Sequence, residues 1–362
     1  METNINPKLN SFDAKTRRKL LDDFAADSAV FNLHCHSFFS YNGYGYSPTA
    51  LAVLAKMNNW RAVGMVDFDV LDGVDEFHAA CNALALRGIA GMETRVFIPE
   101  LAQDEINSPG EPGIAYHLGY GFMSTDVPDI ALPFAKELRA KARARTRKIV
   151  GLVNDYLTET QLDFDEVAQK YTPAGNVTER HVCLAYRLAG EKRFKKSEDR
   201  KAYWTAKLGA YDENPVKLEA LIRSKTMKKG GVGYVQAKGE AFPTLEDMNN
   251  FVRDCGAIPT VAWLNGLSSG EEDPGALLDL HIQYGAEAIT IIPDRNWNVS
   301  DPAKKKKLLA ELARFIKAAQ ERDLPIFAGT EMNAPGQKLA DDFSVPELSK
   351  YRDIFIAGAD SF

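Results

Sequence analysis

Two histidines separated by a single residue are the side chains of this sequence best suited to chemistry. His34 and His36 follow the apolar positions Phe31 and Leu33, so the segment has the character of a β-strand. Side chains alternate between the two faces of a strand, which places the two imidazoles on one face about 7 Å apart. A pair at this spacing can bind one metal ion at the end of a sheet. The alternative is a pair of partly exposed histidines at a strand end, without a ligand.

Further strand-like runs end at polar residues that could reach the same site. The runs cover residues 61–66, 88–92, 114–116, 257–262, 288–292 and 324–328, and they lead into Asp67, Glu93, His117, Asn265, Asp294 and Glu331. Apolar strands that alternate with helical stretches, and that carry polar residues at their carboxyl ends, are typical of a βα barrel. The pattern therefore predicts an α/β barrel with its functional site on one rim.

Several motifs occur in the same order as in a known family. The sequence resembles the PHP family (polymerase and histidinol phosphatase), whose members are often metal-dependent phosphoesterases. The resemblance runs from about residue 31 to residue 335 and depends on the order and spacing of these segments: His34-Cys35-His36-Ser37, Asn42-Gly43, Ser47-Pro48, Val66-Asp67-Phe68-Asp69 with Gly73, Gly91-Met92-Glu93, His117, Arg180-His181-Val182 and Gly329-Thr330-Glu331-Met332-Asn333.

The resemblance implies a domain organisation as well as a fold. It predicts a distorted TIM-like (β/α)7 barrel, the PHP fold, interrupted by a helical lid subdomain. The expected boundaries are an N-terminal helical extension over residues 1–27, a first barrel part over 28–127, the lid over 128–240 and a second barrel part over 241–362. The chain of 362 residues exceeds a minimal barrel of about 250 residues by enough for such an insertion.

Several positions depart from the family pattern, among them the early Asp, which is Tyr41 or Asn42 here. The family places a histidine where this chain has Phe68, a His-Pro pair at Trp263-Leu264, an Asp at Glu331 and a His at Asn333. These changes remove ligands from a site that normally holds two or three metal ions. A full cluster is therefore not expected here.

One metal position still has a complete set of donors under this resemblance. The implied ligands are His34, His36, Glu93 and Glu331, a mixture of imidazole and carboxylate that suits zinc, manganese or iron. His117 would serve a second, weaker position. Asp67 is expected to orient neighbouring groups and Asn333 to be at most a weak ligand. We thus predict one divalent transition-metal site, with room for a weaker second.

Substrate contacts and acid catalysis are assigned partly from position and partly from the family. Arg95 lies two residues after Glu93, so it would point to the same side of a continuing strand. Arg143 and Arg147 have the four-residue spacing of arginines in the family's lid and would share a helix face. With Arg180 they are expected to bind an anionic substrate. Two residues could serve as the proton donor. These are His117, if it carries no metal, and His181.

Composition limits the other possibilities. The chain is 45% hydrophobic with a formal charge of −6, so nucleic-acid binding is not expected. The 4 cysteines have neither disulfide nor metal spacing, and no signal peptide or membrane-spanning run is evident. A cytoplasmic protein with no membrane partner is therefore expected, while the oligomeric state stays open. The C-terminal residues 354–362 have the composition of a strand.

Two hypotheses of different class follow. The first is a metal-dependent hydrolase, most simply a phosphoesterase acting on a small phosphorylated substrate through a metal-activated water. Retention of His34, His36, Glu93 and His117 favours it. The second is a catalytically inactive barrel of the same fold that binds a ligand or a partner. The losses at Phe68, Trp263 and Asn333 favour this alternative.

Overall fold

The computed structural model describes residues 5–22, 28–236 and 241–362. Parts of the predicted N-terminal extension (1–4 and 23–27) and the end of the predicted lid (237–240) lie outside the described residues. Within them, the central element is one sheet whose strands follow each other in sequence order. These strands are β1 (Asn32–Cys35), β2 (Ala62–Phe68), β3 (Arg87–Phe97), β4 (Ile114–Tyr120), β5 (Ile258–Trp263), β6 (Ala288–Ile291) and β7 (Ile326–Ala328).

The direction of β4 sets it apart from the other strands. It pairs antiparallel with both β3 and β5, whereas all other neighbouring strands are parallel. The loop between β3 and β4 therefore lies at the rim where the parallel strands end. Asn107 and Pro109 of that loop line the cavity at this rim.

The sheet closes almost completely between β1 and the segment that follows β7. Cys35 forms a parallel bridge with Glu331. The side chain of Asn32 donates to the hydroxyl of Thr330 at 2.7 Å and accepts from the backbone N–H of Thr330 at 3.1 Å. Gly329 allows this approach, because a Cβ there would lie 2.4 Å from the backbone N of His34. The described chain thus forms the nearly closed, seven-stranded α/β barrel that was predicted.

Helices surround the barrel and fill the long segment between β4 and β5. Several helices begin at a residue that caps the N-terminus, such as Ser47, whose side chain accepts from the N–H of Ala50. The α-helices are α1 (Ala14–Asp22), α2 (Pro48–Met57), α3 (Val74–Ala83), α4 (Leu132–Tyr156), α5 (Phe164–Tyr171), α6 (Glu179–Arg193), α7 (Ser197–Leu208), α8 (Pro215–Ile222), α9 (Leu245–Asp254), α10 (Pro274–Gln283), α11 (Asp294–Trp297), α12 (Pro302–Gln320) and α13 (Arg352–Asp360).

The inserted helices α4 to α8 have an apolar core of their own. Val153, Tyr186, Trp204 and Ile222 are almost fully buried in it. A separate set of buried residues packs around the barrel strands and their flanking helices. The insertion can therefore hold one face over the barrel rim while its other face is in solvent.

The C-terminal segment differs from the strand suggested by its composition. Residues Arg352–Asp360 form helix α13, and Phe355 and Ala359, four positions apart, are buried on one face. A Cβ on Gly358 would lie 2.0 Å from the carbonyl oxygen of Ile326, so the helix packs directly on β7. None of the helices in the described ranges is both long and apolar enough to cross a membrane.

Candidate metal centre and substrate cavity

Three potential metal ligands meet at the barrel rim. Oε2 of Glu93, on β3, lies 3.1 Å from Nε2 of His36 and 3.5 Å from Nε2 of His34. All three side chains are buried, and their ligand atoms lie within 4.8 Å of one another. His34 and His36 therefore converge on one point, as the spacing in β1 predicts.

Hydrogen bonds fix the tautomer of His36. The carboxylate of Asp67 accepts hydrogen bonds from the backbone N–H of Ser37 and the hydroxyl of Ser40, each at 2.7 Å. Because Ser40 has given its only proton to Asp67, its oxygen must accept from Nδ1 of His36, 3.2 Å away. Nε2 of His36 then presents its lone pair to Glu93.

The donor set fits a divalent metal ion. Neither Nδ1 nor Nε2 of His34, nor Nε2 of His36, has a hydrogen-bond partner among the described residues, although all are buried. Ligand atoms bound tetrahedrally at about 2.1 Å stand about 3.4 Å apart, close to the observed 3.1 and 3.5 Å. Burial raises the pKa of Glu93, but the two histidines outweigh burial and hold that pKa well below its ordinary value. Two buried imidazoles and a carboxylate that face one point suit a cation between them.

Glu331, the predicted fourth ligand, lies at the cavity but is engaged elsewhere. Its Oε1 forms an ion pair with Nη2 of Arg295 at 2.5 Å, and its Oε2 accepts from Nε2 of Gln337 at 3.4 Å. Among the described residues the group of converging ligand atoms contains only His34, His36 and Glu93. The structure thus brings three of the four predicted ligands together.

Asp67 and Asn333 occupy the surroundings of this group. Asp67 accepts hydrogen bonds from Ser37 and Ser40, and through the hydroxyl of Ser40 it orients His36. Burial raises the pKa of Asp67, and the hydrogen bond from Ser37 opposes that rise. Asn333 lines the cavity, and its buried Oδ1 has no partner within the described part of the chain.

The metal-ligand group opens into a cavity between the barrel and the inserted helices. Its volume is about 280 Å³. The wall formed by α4 consists of Leu138, Lys141, Ala142, Arg145 and Thr146, which are spaced as one face of a helix. The cavity therefore combines a metal-binding floor with a helical roof.

Arg95 and Arg145 form a cationic wall beside the metal-ligand group. The Arg95 guanidinium pairs with Glu111 at 2.8 Å and lies 4.4 Å from the ring centre of Phe242. Arg145 stacks on the same ring at 5.2 Å, and it approaches Glu111 only to 3.8 Å. Both arginines keep a buried Nε without a partner among the described residues. The predicted placement of Arg95 at the site agrees with this geometry, whereas Arg145 is an addition.

Arg143 and Arg147 are not in the cavity, which corrects their predicted role in substrate binding. Both pair with Asp165, at 2.6 and 2.7 Å, and both stack on Phe164 outside the cavity. Each lies two positions from Arg145, which is roughly 200° around a helix. A signal for Arg145 existed in the sequence, because the apolar positions Leu138 and Ile149 mark the inward face of this helix.

Arg180 is a cavity cation that forms no close ion pair with the described residues, although the charge of Glu331 acts on it from a distance. It lines the cavity, and no acceptor or acid lies within hydrogen-bond or ion-pair distance among the described residues. By contrast, Arg223 and Lys228 both pair with Glu179, at 2.8 and 2.7 Å. Arg223 begins a five-residue π-helical turn, Arg223–Met227, and such turns are frequent at functional sites. Sequence reasoning had no signal for that turn.

His117 does not reach the metal-ligand group, which corrects its prediction as a ligand and as an acid. Its neighbours Tyr116 and Leu118 line the cavity, so His117 points to the opposite face of β4. There its Nε2 lies 2.6 Å from Oδ1 of Asn249 on α9. Burial lowers its pKa to about 4. The physical reason for the error is that β4 is antiparallel, so His117 is in mid-strand and not at a rim.

His181 is a helix-capping residue, which corrects its prediction as a proton donor. Its Nδ1 accepts from the backbone N–H of Thr178 at 3.2 Å, at the start of α6. The ring lies edge-on against Tyr41 and faces a second cavity behind the first. Burial lowers the pKa of His181 to about 3, so the ring is neutral.

The two aromatic departures from the family pattern have different positions. Phe68 lines the cavity next to Asp69. Burial raises the pKa of Asp69 to about 6, opposed by the hydrogen bond from Thr94. Trp263 also reaches the cavity, but its ring stacks on Phe315, with centres 4.5 Å apart and planes at 8°. Neither aromatic ring can donate a ligand atom to the metal-ligand group.

Two solved structures share this fold along most of their length. An amidohydrolase from Chromobacterium violaceum, whose structure holds sulfate and no metal, has a TM-score of 0.58 and 17% identity, covering 89% of this chain and 95% of that one. A candidate metal-dependent phosphoesterase from Bifidobacterium adolescentis has a TM-score of 0.55 and 18% identity, covering 88% of this chain and 94% of that one. No family model and no curated protein matches the sequence. The likeness confirms the fold class, an α/β barrel of the TIM-like kind.

Proposed function

We propose that this protein is a metal-dependent hydrolase that cleaves a phosphate ester of a small anionic substrate. The observation that carries the proposal is the group of three buried ligand atoms, from His34, His36 and Glu93, at the floor of a cavity lined by arginines. The two proteins of similar fold support it. One is a candidate metal-dependent phosphoesterase, and the other holds a sulfate ion.

The residues divide into those that would hold a metal and those that would bind the substrate. His34, His36 and Glu93 would bind one divalent ion, and zinc, manganese and iron all suit this set. When bound, such an ion supplies Lewis acidity and lowers the pKa of a coordinated water. Asp67 and Ser40 keep His36 in the tautomer that this ligation needs.

The arginines would bind the anionic group and stabilise charge that develops on it. Arg180 offers an unneutralised guanidinium, and Arg95 and Arg145 present a second pair above the floor of the cavity. Bidentate guanidinium contacts suit phosphoryl oxygens, and preorganised charge in a dry cavity is worth far more than in water. The inserted helices, which supply Arg145 and Arg180, would also keep water away from the bound substrate.

Metal content and phosphoesterase activity together test this proposal. Protein purified without chelators or a histidine tag is expected to contain about one equivalent of transition metal. It is also expected to hydrolyse at least one member of a panel of small phosphate esters. A His34→Ala/His36→Ala variant should lose both properties. Failure of the wild-type protein to bind zinc, manganese or iron would refute the catalytic proposal.

Two arginines of α4 give a matched test of the cavity wall. Arg145→Gln should raise KM for an active phosphate ester by about ten- to hundredfold, because it removes a charge-assisted contact. Arg143→Gln changes the same residue type on the same helix but outside the cavity, so it should leave KM unchanged. Equal effects of the two substitutions would contradict the assignment of the wall.

A second candidate function is ligand binding without catalysis. The ion pair between Glu331 and Arg295 favours it, because it occupies the carboxylate that the family pattern uses as a ligand. In that case the cavity would bind an anion such as phosphate in wild-type protein that contains no metal. Phosphate binding that survives chelation, without hydrolysis of any ester in the panel, would favour this function.

A further inference from the structure

The backbone of Glu331 lies next to the chain segment that carries His34 and His36. It forms a bridge with Cys35, the residue between His34 and His36. Glu331 and the following Met332 have positive φ angles of 70° and 41°, in the left-handed region that non-glycine residues rarely adopt. This strained backbone conformation sets the direction in which the side chain of Glu331 leaves the chain.

Both carboxylate oxygens of Glu331 are held by donors from the chain. Arg295 binds Oε1 and Gln337 donates to Oε2. Gln337 is itself fixed, because its Oε1 accepts from the backbone N–H groups of Asn333 and Ala334, each at 2.8 Å. The backbone therefore positions Gln337, Gln337 orients Glu331, and Glu331 in turn holds the Arg295 guanidinium.

The guanidinium of Arg295 lies at the cavity, and most of its N–H donors have no partner among the described residues. Its side chain is 42% exposed and lines the same cavity as His34 and His36. A guanidinium carries five N–H donors, and the bond to Glu331 is its one hydrogen bond to the described residues. The remaining donors are available to a ligand in the cavity.

We infer that Glu331 is a positioning residue for Arg295 and not a metal ligand, and that Arg295 binds the anionic group of the substrate. The nature of that substrate rests on the proposed function. The metal centre is then a three-ligand site of His34, His36 and Glu93. Three protein ligands with an open position are the usual arrangement of catalytic zinc sites.

Two binding measurements test the inference without relying on activity. Zinc affinity is measured by competition with a chromogenic chelator, and inorganic phosphate affinity by calorimetry, the latter on both zinc-loaded and chelated protein. The proteins are the wild type, Glu331→Gln, Arg295→Gln, the double variant and His36→Ala. Arg143→Gln is the control for loss of an arginine outside the cavity.

The expected pattern separates a positioning residue from a ligand. Glu331→Gln should keep zinc affinity within about threefold, whereas His36→Ala should lose more than about a hundredfold. Glu331→Gln and Arg295→Gln should each weaken phosphate binding by about ten- to hundredfold, and the double variant should weaken it no further. Arg143→Gln should bind phosphate as the wild type does.

The contrary results are distinct from failure of the proposed function. A loss of zinc affinity in Glu331→Gln as large as in His36→Ala would make Glu331 a ligand and overturn the inference. Unchanged phosphate affinity in Arg295→Gln would overturn it as well. Absence of zinc binding by the wild type would refute the hydrolase, and the chelated-protein titrations would still decide the roles of Glu331 and Arg295.

Discussion

Replacing Ser40 by alanine removes the link between Asp67 and His36. Ser40 donates to Asp67 at 2.7 Å and accepts from Nδ1 of His36 at 3.2 Å. A hydrogen bond to a charged group contributes about 1.5–3 kcal/mol to stability, so Ser40→Ala should lower the free energy of unfolding by that amount. Loss of a group that orients a ligand typically weakens metal binding by 10- to 100-fold, or about 1.4–2.8 kcal/mol, which sets the expected loss of zinc affinity.

Ser37→Ala is the matched control, because Ser37 also donates its hydroxyl proton to Asp67 but accepts from the backbone N–H of Phe39 and not from a histidine. The two variants should lose similar stability in urea denaturation. Only Ser40→Ala should lose zinc affinity, measured by chelator competition on the folded protein. Equal zinc affinities in both variants and the wild type would show that Ser40 does not orient His36.

Three further predictions concern buried positions in and around the barrel. Burial lowers the pKa of His281 to about 3, whereas the same histidine has a pKa of about 6.5 in the unfolded chain, which therefore binds a proton that the folded protein does not. The free energy of unfolding should fall as pH drops below 6.5, by about 2 kcal/mol at pH 5 for this histidine. In chelated protein, His281→Leu should reduce this dependence of stability on pH. Burial raises the pKa of Asp341, whose side-chain oxygens have no partner among the described residues, so the unpaired charge destabilises the fold as pH rises. Asp341→Asn should therefore raise the free energy of unfolding at pH 8 by about 1–3 kcal/mol, whereas Asp342→Asn, which removes the charge that strengthens the hydrogen bonds from Ser344 to Oδ1, should lower it slightly. Gly329→Ala should lower the free energy of unfolding by about 1–3 kcal/mol and weaken zinc binding, because the new Cβ would meet the backbone N of His34. Wild-type stability together with wild-type zinc affinity would contradict the close contact described between Gly329 and β1.

The barrel was predictable because its signals are local. Apolar strands bounded by polar residues need both faces buried, and β2 is buried at almost every position as its sequence suggests. The direction of β4 was not predictable, since an antiparallel strand carries the same apolar pattern as a parallel one. The register of β4 was not predictable either, and it places Tyr116 and Leu118 in the cavity, so that His117 between them points to the outer face.

The sequence by itself determined that His34 and His36 share a face, because residues i and i+2 of a β-strand point to the same side. Everything that depends on side chains meeting across the fold was decided by tertiary structure. Only the fold brings Glu93 to the pair. The helical period groups Arg145 with Leu138 in the sequence, but only the tertiary structure shows that this face of α4 lies over the rim. The pairing of Glu331 with Arg295 depends on a backbone conformation that no propensity reveals, since its cost is offset by contacts distant in the chain.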